Sequence, residues 1–208
     1  MTDAHVQFSV QPAPELTGLG LRLRPWDPES DADVSAYLRG LSDPELQRWN
    51  TPLRFVRDIG TARESLRTRV AAAVGGTGIS FCVTEAETGE TLGHIGVNEI
   101  DHVMSCARVG YWVLPEARGG RVATRALTLA TRYGFTDLAL HRLELGHAVG
   151  HEVSCRVAER CGFRHEGTLR GAMFEAGRHD AFRDVHLHGR LATDPEPAPD
   201  RKPSPTGT

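Results

Sequence analysis

No stretch of the 208-residue sequence approaches the roughly 20 consecutive apolar residues that a bilayer-spanning helix needs. The opening segment, MTDAHVQFSVQPAPELTG, has neither the basic start nor the apolar core of a secretory leader. Together these absences predict a cytoplasmic protein with no membrane partner. Cysteine is scarce, with Cys82, Cys106, Cys155 and Cys161 the whole set and no CxxC pair among them. Three lie in apolar segments, which predicts buried free thiols rather than redox or metal chemistry. Positive charge is not in excess. The 24 Lys and Arg stand against 27 Asp and Glu, for a net charge of −3, which argues against a nucleic-acid partner. Two phosphate-binding signatures are also missing: there is no GxxxxGKS/T, and no GxGxxG follows a strand.

What is present is an ordinary globular balance, 39% hydrophobic and 25% charged, at a length that suits one domain. Residues 193–208 carry five prolines and little that is apolar, so they read as a disordered tail. Residues 1–18 read as a loose lead-in, leaving 19–192 as the folded domain. Within it the elements alternate. Leu19–Arg24 has strand alternation, Asp31–Leu41 suits a short helix, and Asp58–Val74 has apolar residues at helical spacing. Ile79–Thr84 and Thr91–Asn98 flank a turn at Glu87–Glu90, as in a hairpin, and Ala107–Val113 is a third strand. Val122–Leu138 is an amphipathic helix, followed by a strand at His141–His147 and a helix at Glu152–Cys161. Phe163–Phe174 and Ala181–Leu191 are two more strands, turning near Gly177. This order predicts an α/β fold with a mixed sheet and helices on its faces.

The stretch Gly110–Thr124 is the most informative. A strand ends, a Gly-rich turn follows and a helix begins. A helix start offers free N–H groups and partial positive charge to a phosphate, and glycine lets the backbone come close. The same residues could serve only as a strand-to-helix turn.

The ordered set of segments is similar to the GCN5-related N-acetyltransferase (GNAT) superfamily, and within it to the RimJ/RimL ribosomal-protein alanine N-acetyltransferase branch. Leu21–Trp26 resembles the branch's first strand and Gly110–Val113 its fourth. Pro115–Gly119 and Ala123–Leu127 resemble its pyrophosphate loop and following helix. His141–Leu145 resembles its fifth strand, and Ser154–Phe163 with Glu166 and Gly167 its C-terminal signature. Two positions depart from the pattern: Arg121 replaces a loop glycine, and His151 stands where Asn is common.

The resemblance implies a mostly antiparallel sheet whose fourth and fifth core strands splay apart, with helices on both faces. It implies an acyl-CoA whose pantetheine arm pairs with Trp112, Val113 and Leu114. The pyrophosphate would rest on the amides of residues 119–124, namely Gly119, Gly120, Arg121, Val122, Ala123 and Thr124, with Arg118 also binding the cofactor. His151 and Ser154 would meet the pantetheine and its sulfur. An amine would attack the thioester directly, with the N–H of Val113 or Leu114 facing the oxyanion and Ser154 near the departing thiolate. For the base, Glu99 is the first candidate, then Glu144 and His102, then water. Acetyl-CoA is the expected donor and succinyl-CoA the alternative. The acceptor is a protein N-terminus or a small amine. No metal is expected: His147-x-x-x-His151 crosses a strand end and a turn at Gly150 rather than one helix face. A homodimer could form through the C-terminal hairpin. The competing reading is an acyl-CoA sensor without turnover.

Overall fold

The computed structural model describes residues 13–197. Eight strands form one sheet in the order β1-β2-β3-β4-β5-β6-β8-β7. They are β1 (Leu16–Gly18), β2 (Leu21–Pro25), β3 (Gly78–Glu85), β4 (Thr91–Asp101), β5 (Cys106–Val113), β6 (Arg142–Ala148), β7 (Arg164–Phe174) and β8 (Phe182–Leu191). Every neighbouring pair is antiparallel except β5 and β6, which are parallel and joined through a helical crossover. The helices are α1 (Asp31–Leu41), α2 (Pro44–Trp49), α3 (Ile59–Val74), α4 (Val122–Thr136) and α5 (Glu152–Arg160). Among the described residues no helix is long and apolar enough to cross a membrane.

Strand alternation sends side chains to two cores. Leu21, Leu23, Phe81, Val83, Ile95 and Val97 face α4 and α5, where Ala126, Leu127, Ala130, Val157 and Ala158 are buried against them. Trp26, Cys82, Trp112 and Leu114 face the other way, toward Val34 and Tyr37 of α1 and Ala62 and Leu66 of α3. The second core has a polar insert: the Trp26 indole N–H donates to Nδ1 of buried His94 at 3.0 Å. A bidentate pair between Arg24 and buried Asp33, at 2.6 and 2.7 Å, ties β2 to α1. Local chemistry starts the first three helices. Ser30 caps α1, Asp43 caps α2, and Asp58 with Thr61 forms a capping box on α3.

Some boundaries differ from the sequence expectation. The lead-in contributes β1, because a turn at Leu19 and Gly20, both at positive φ, folds Leu16–Gly18 back onto β2. Helix α2 was not anticipated; its six residues are too few for a period to show. Helix α4 stops at Thr136, with Asp137 as its C-cap. Residues 193–197, expected to be disordered, are held by charge. Asp194 pairs with Arg164 at 3.0 Å, and Glu196 with buried Arg190 at 3.4 Å. Residues 198–208 of that expected tail, and 1–12 of the lead-in, lie outside the described residues.

Candidate active site

The sheet opens between β5 and β6. Their pairing covers only Cys106–Arg108 with Arg142–Glu144, whereas β5 continues along β4 to Val113 and β6 along β8 to Ala148. Beyond Arg108 and Glu144 the two strands therefore separate, and the β6-facing edge of β5 has no strand partner.

Which backbone groups face that opening follows from alternation. The Leu114 N–H donates to the Leu92 carbonyl at 2.9 Å, so Leu114 turns its N–H toward β4. Trp112 shares that parity, and Tyr111 and Val113 have the other. This corrects two expectations. Leu114 is not an oxyanion donor, since its N–H already has a partner within the sheet. Trp112 does not offer its backbone to a ligand, and its ring is packed against Trp26, Tyr37 and His94. Val113 remains, and its N–H points to the open edge.

The loop after β5 forms a 3₁₀ turn at Pro115–Ala117 and then enters α4 through Gly119, Gly120 and Arg121. Gly119 has φ of 83°, a conformation that favours glycine, and a side chain there would meet nothing within 4 Å. Arg121 is the N-cap at φ 56°, also left-handed, and gives no side-chain cap. The N–H groups of Val122, Ala123 and Thr124 are thus first-turn donors without an intrahelical partner, at the positive end of the helix dipole. This suits a pyrophosphate. Arg118, expected at the phosphate, is folded over the strand edge instead. Its Nε donates to the Val113 carbonyl at 3.3 Å, and its guanidinium pairs with Asp43.

Ser154 lies in the first turn of α5 and is buried. Its Oγ is 2.9 Å from the Tyr111 hydroxyl, a bond that links α5 to β5 beside the opening. Burial pushes the Tyr111 phenol up to about 12, so it is protonated at neutral pH and able to donate. Sequence reading missed Tyr111. The available signal was its parity with Val113 on the strand, but its partner is 43 residues away.

His151 is the N-cap of α5, and its carbonyl accepts from the Ser154 N–H at 3.0 Å. Its ring stacks on Trp49 of α2, with centroids 4.6 Å apart and planes within 2°. Burial, with His147 nearby, lowers its pKa to about 4, so the ring is neutral. The Arg48 and Arg183 guanidinium groups lie 4.9 and 6.0 Å from the Trp49 ring centre. Nε and Nη2 of Arg183 are buried with no hydrogen-bond partner.

The expected bases do not join this group. Glu99 sits at a bulge near the end of β4, at φ 51°, and is paired with Arg108 at 2.9 Å. Arg108 belongs to the closed part of the β5–β6 pair, about 10 Å along the strand from Tyr111. Glu99 thus sits at the closed end of the strand pair, with its carboxylate engaged by Arg108. Glu144 is held by Arg142 at 3.0 Å and Arg108 at 3.6 Å. His102 is hydrogen-bonded to the Gly76 carbonyl at 2.8 Å.

A sheet parted between two parallel strands, beside an uncapped helix start and a buried hydroxyl pair, defines the acyltransferase class of α/β protein. The GNAT acetyltransferase domain model matches residues 20–164, and the chain belongs to that family. It is an N-acetyltransferase acting on amines, and it resembles the RimJ/RimL branch. It is 30% identical over 161 residues to the uncharacterized N-acetyltransferase p20 of Bacillus licheniformis, covering 77% of this chain and 87% of that protein. It is 36% identical over 91 residues to the putative ribosomal N-acetyltransferase YdaF of Bacillus subtilis. That match takes in 44% of this chain and 50% of YdaF. Mycobacterium smegmatis RimJ in complex with CoA-disulfide superposes with a TM-score of 0.75 at 25% identity, covering 88% of both chains.

Proposed function

We propose that this enzyme moves the acetyl group of acetyl-CoA onto the α-amino group of a protein N-terminus. The open Val113 edge beside the α4 start and the Ser154–Tyr111 pair is the observation that carries the reading. Pantetheine amides can pair with that edge as an added strand would. The Val113 carbonyl becomes available when Arg118 swings away, and the same movement brings a guanidinium toward the pyrophosphate. Val122, Ala123 and Thr124 supply N–H donors, with Arg121 adding charge.

The acceptor, having lost its ammonium proton to water, attacks the thioester carbon through its lone pair. The carbonyl oxygen becomes an oxyanion facing the Val113 N–H. As the C–S bond breaks, the electron pair leaves with sulfur, and a proton passes to it along Tyr111 and Ser154. The second amine proton goes to solvent. Amide and free CoA thiol are the products.

The acceptor side favours negative charge. Nε and Nη2 of Arg183 have no hydrogen-bond partner and Arg48 lies on the same Trp49 ring, although Glu175 acts on Arg183 and Glu45 accepts from the Trp49 indole N–H at 2.6 Å. A polycationic amine is repelled there, while an N-terminal peptide carrying an acidic residue behind its amine would give Arg183 a partner. Relatives fit both chemistries: a ribosomal-protein-serine acetyltransferase of Escherichia coli is 28% identical over 145 residues, and an E. coli spermidine N(1)-acetyltransferase is 36% identical over 91. The unpartnered Arg183 nitrogens support the first.

The test is a calorimetric titration with acetyl-CoA, succinyl-CoA and ATP, followed by turnover with acidic N-terminal peptides and spermidine. Saturable acetyl-CoA binding, no ATP binding and faster acetylation of the acidic peptides are expected. Arg183→Gln should raise the peptide KM and leave acetyl-CoA affinity unchanged. CoA binding without turnover on any amine would make the protein a sensor. Tighter succinyl-CoA binding that depends on Arg183 would move that residue's partner from acceptor to donor.

A further inference from the structure

The helical face of β6 and β8 carries an unusual set of side chains beneath α5. His147 of β6 stands directly across from His186 of β8. His188 lies two residues further along β8 on the same face. Cys155 reaches down from the first turns of α5. One donor atom from each of these four residues lies within 4.8 Å of all the others. His147 and His188 are buried, Cys155 and His186 half-buried. His165 of β7 adds a fifth ring, with its centroid 4.8 Å from His186 and 5.3 Å from His188.

Either neutral tautomer of His188 leaves this group with an unsatisfied nitrogen lone pair. Nδ1 of His147 is 3.0 Å from the Ala148 carbonyl oxygen. A carbonyl only accepts, so Nδ1 carries the proton and Nε2 has a lone pair. That Nε2 is 3.1 Å from Nε2 of His188. A proton on His188 Nε2 would satisfy the contact but leave its buried Nδ1 as an acceptor with no partner. A proton on Nδ1 would leave two lone pairs facing each other at 3.1 Å. The Cys155 Sγ, 3.6 Å from the same His188 Nε2, crowds the point further.

We propose that His147, His186, His188 and Cys155 form a zinc site that fastens α5 to the sheet. In a tetrahedral site, Zn–N bonds of about 2.0–2.1 Å and a Zn–S bond of about 2.3 Å place ligand atoms about 3.3–3.6 Å apart. The 3.1 and 3.6 Å contacts are already near that spacing, and the remaining closure needs only small rotamer changes. Three neutral imidazoles and one thiolate suit zinc and leave no position for substrate, as in structural sites. The Cys155 thiol would ionise on coordination. Cys155 directly follows Ser154, so the metal would also steady the serine that meets Tyr111. The sequence expectation of no metal rested on the pair His147 and His151. The tertiary structure keeps His147 but sends His151 to Trp49 and supplies the other ligands from β8 and α5.

The test uses the full chain, stripped with chelator and without acyl-CoA, so its result is independent of the acetyltransferase reading. Zn²⁺ alone should bind with one ion per chain and raise the melting temperature. Co²⁺ should give a tetrahedral spectrum with a thiolate charge-transfer band. Cys155→Ser should abolish that band, and Cys155→Ser and His186→Asn should each weaken Zn²⁺ binding on the order of 100-fold, at least what outer-shell partners contribute. Both positions are half-buried, so the fold should survive, with circular dichroism as the check. His141→Asn, at an exposed histidine outside the cluster, should bind as the wild type does. No stoichiometric Zn²⁺ binding, or equal affinity in wild type, Cys155→Ser and His186→Asn, would overturn the site.

Discussion

The Ser154 hydroxyl is a weak acid by itself, and what changes its use is the phenol 2.9 Å away. The half-buried Tyr111 phenol is protonated and hydrogen-bonded, so on the proposed reading a proton can reach a leaving thiolate through two hydroxyls rather than one. Ser154→Ala should therefore lower kcat on the order of 100-fold while leaving acetyl-CoA affinity near the wild-type value. Tyr111→Phe should do the same. The double variant should be no slower than the worse single one, because both remove the same relay. Steady-state kinetics beside calorimetry separates the two quantities. A full additive loss would show that the hydroxyls act separately. Glu99→Gln, by contrast, should leave kcat within about twofold, since its carboxylate faces Arg108 at the closed end of the strands.

At the scale of the element, the loop into α4 trades backbone ease for charge. Arg121 holds a left-handed conformation that disfavours any side chain, and it does so at the position where the family pattern has glycine. Arg121→Gly should stabilise the protein by about 1 kcal/mol, seen as a rise in melting temperature of about 2–4 °C. The same change should weaken acetyl-CoA binding a few-fold, the scale of one exposed charge interaction. Loss of stability in that variant would mean the side chain contributes more to the fold than its backbone angle costs. Helix α2 shows the opposite case, an element too short to read from its period. Its capping Asp43 and its Trp49 matter because they meet Arg118 and His151 from other parts of the chain.

For the whole molecule, four histidines sit where burial lowers their pKa: His94, His147, His151 and His188. In the unfolded chain each titrates near the ordinary value of about 6.5. Below that pH the unfolded state binds protons that the native state refuses. Stability is therefore full above about pH 6.5 and falls as the pH drops, with His151 contributing down to about pH 4. Each fully coupled histidine adds a slope of about 1.4 kcal/mol per pH unit. Urea unfolding of metal-free protein between pH 7.5 and 5 should show this decline. His94→Gln, which removes the most buried of these rings from a site facing Trp26, should flatten it.

The sequence by itself determined the order of the longer elements and the alternation of the strands, because these depend on residues a few positions apart, while β1 and α2 were too short to show. It also determined the family, since the loop and the Ser154 segment carry their spacing in linear order. Only the tertiary structure decided what depends on neighbours distant in the chain. Alternation says that Val113 and Leu114 point opposite ways, but only the pairing with Leu92 tells which one faces the opening. Ser154 was legible, whereas its partner Tyr111 was not. The spacing of His147 and His151 drew attention to two rings that do stay neighbours, with centroids 6.1 Å apart, but only the convergence of β6, β8 and α5 puts His147, His186, His188 and Cys155 within one ion's reach. Hydrogen-bond parity and side-chain convergence are properties of packed strands, and they exist only once the sheet has formed.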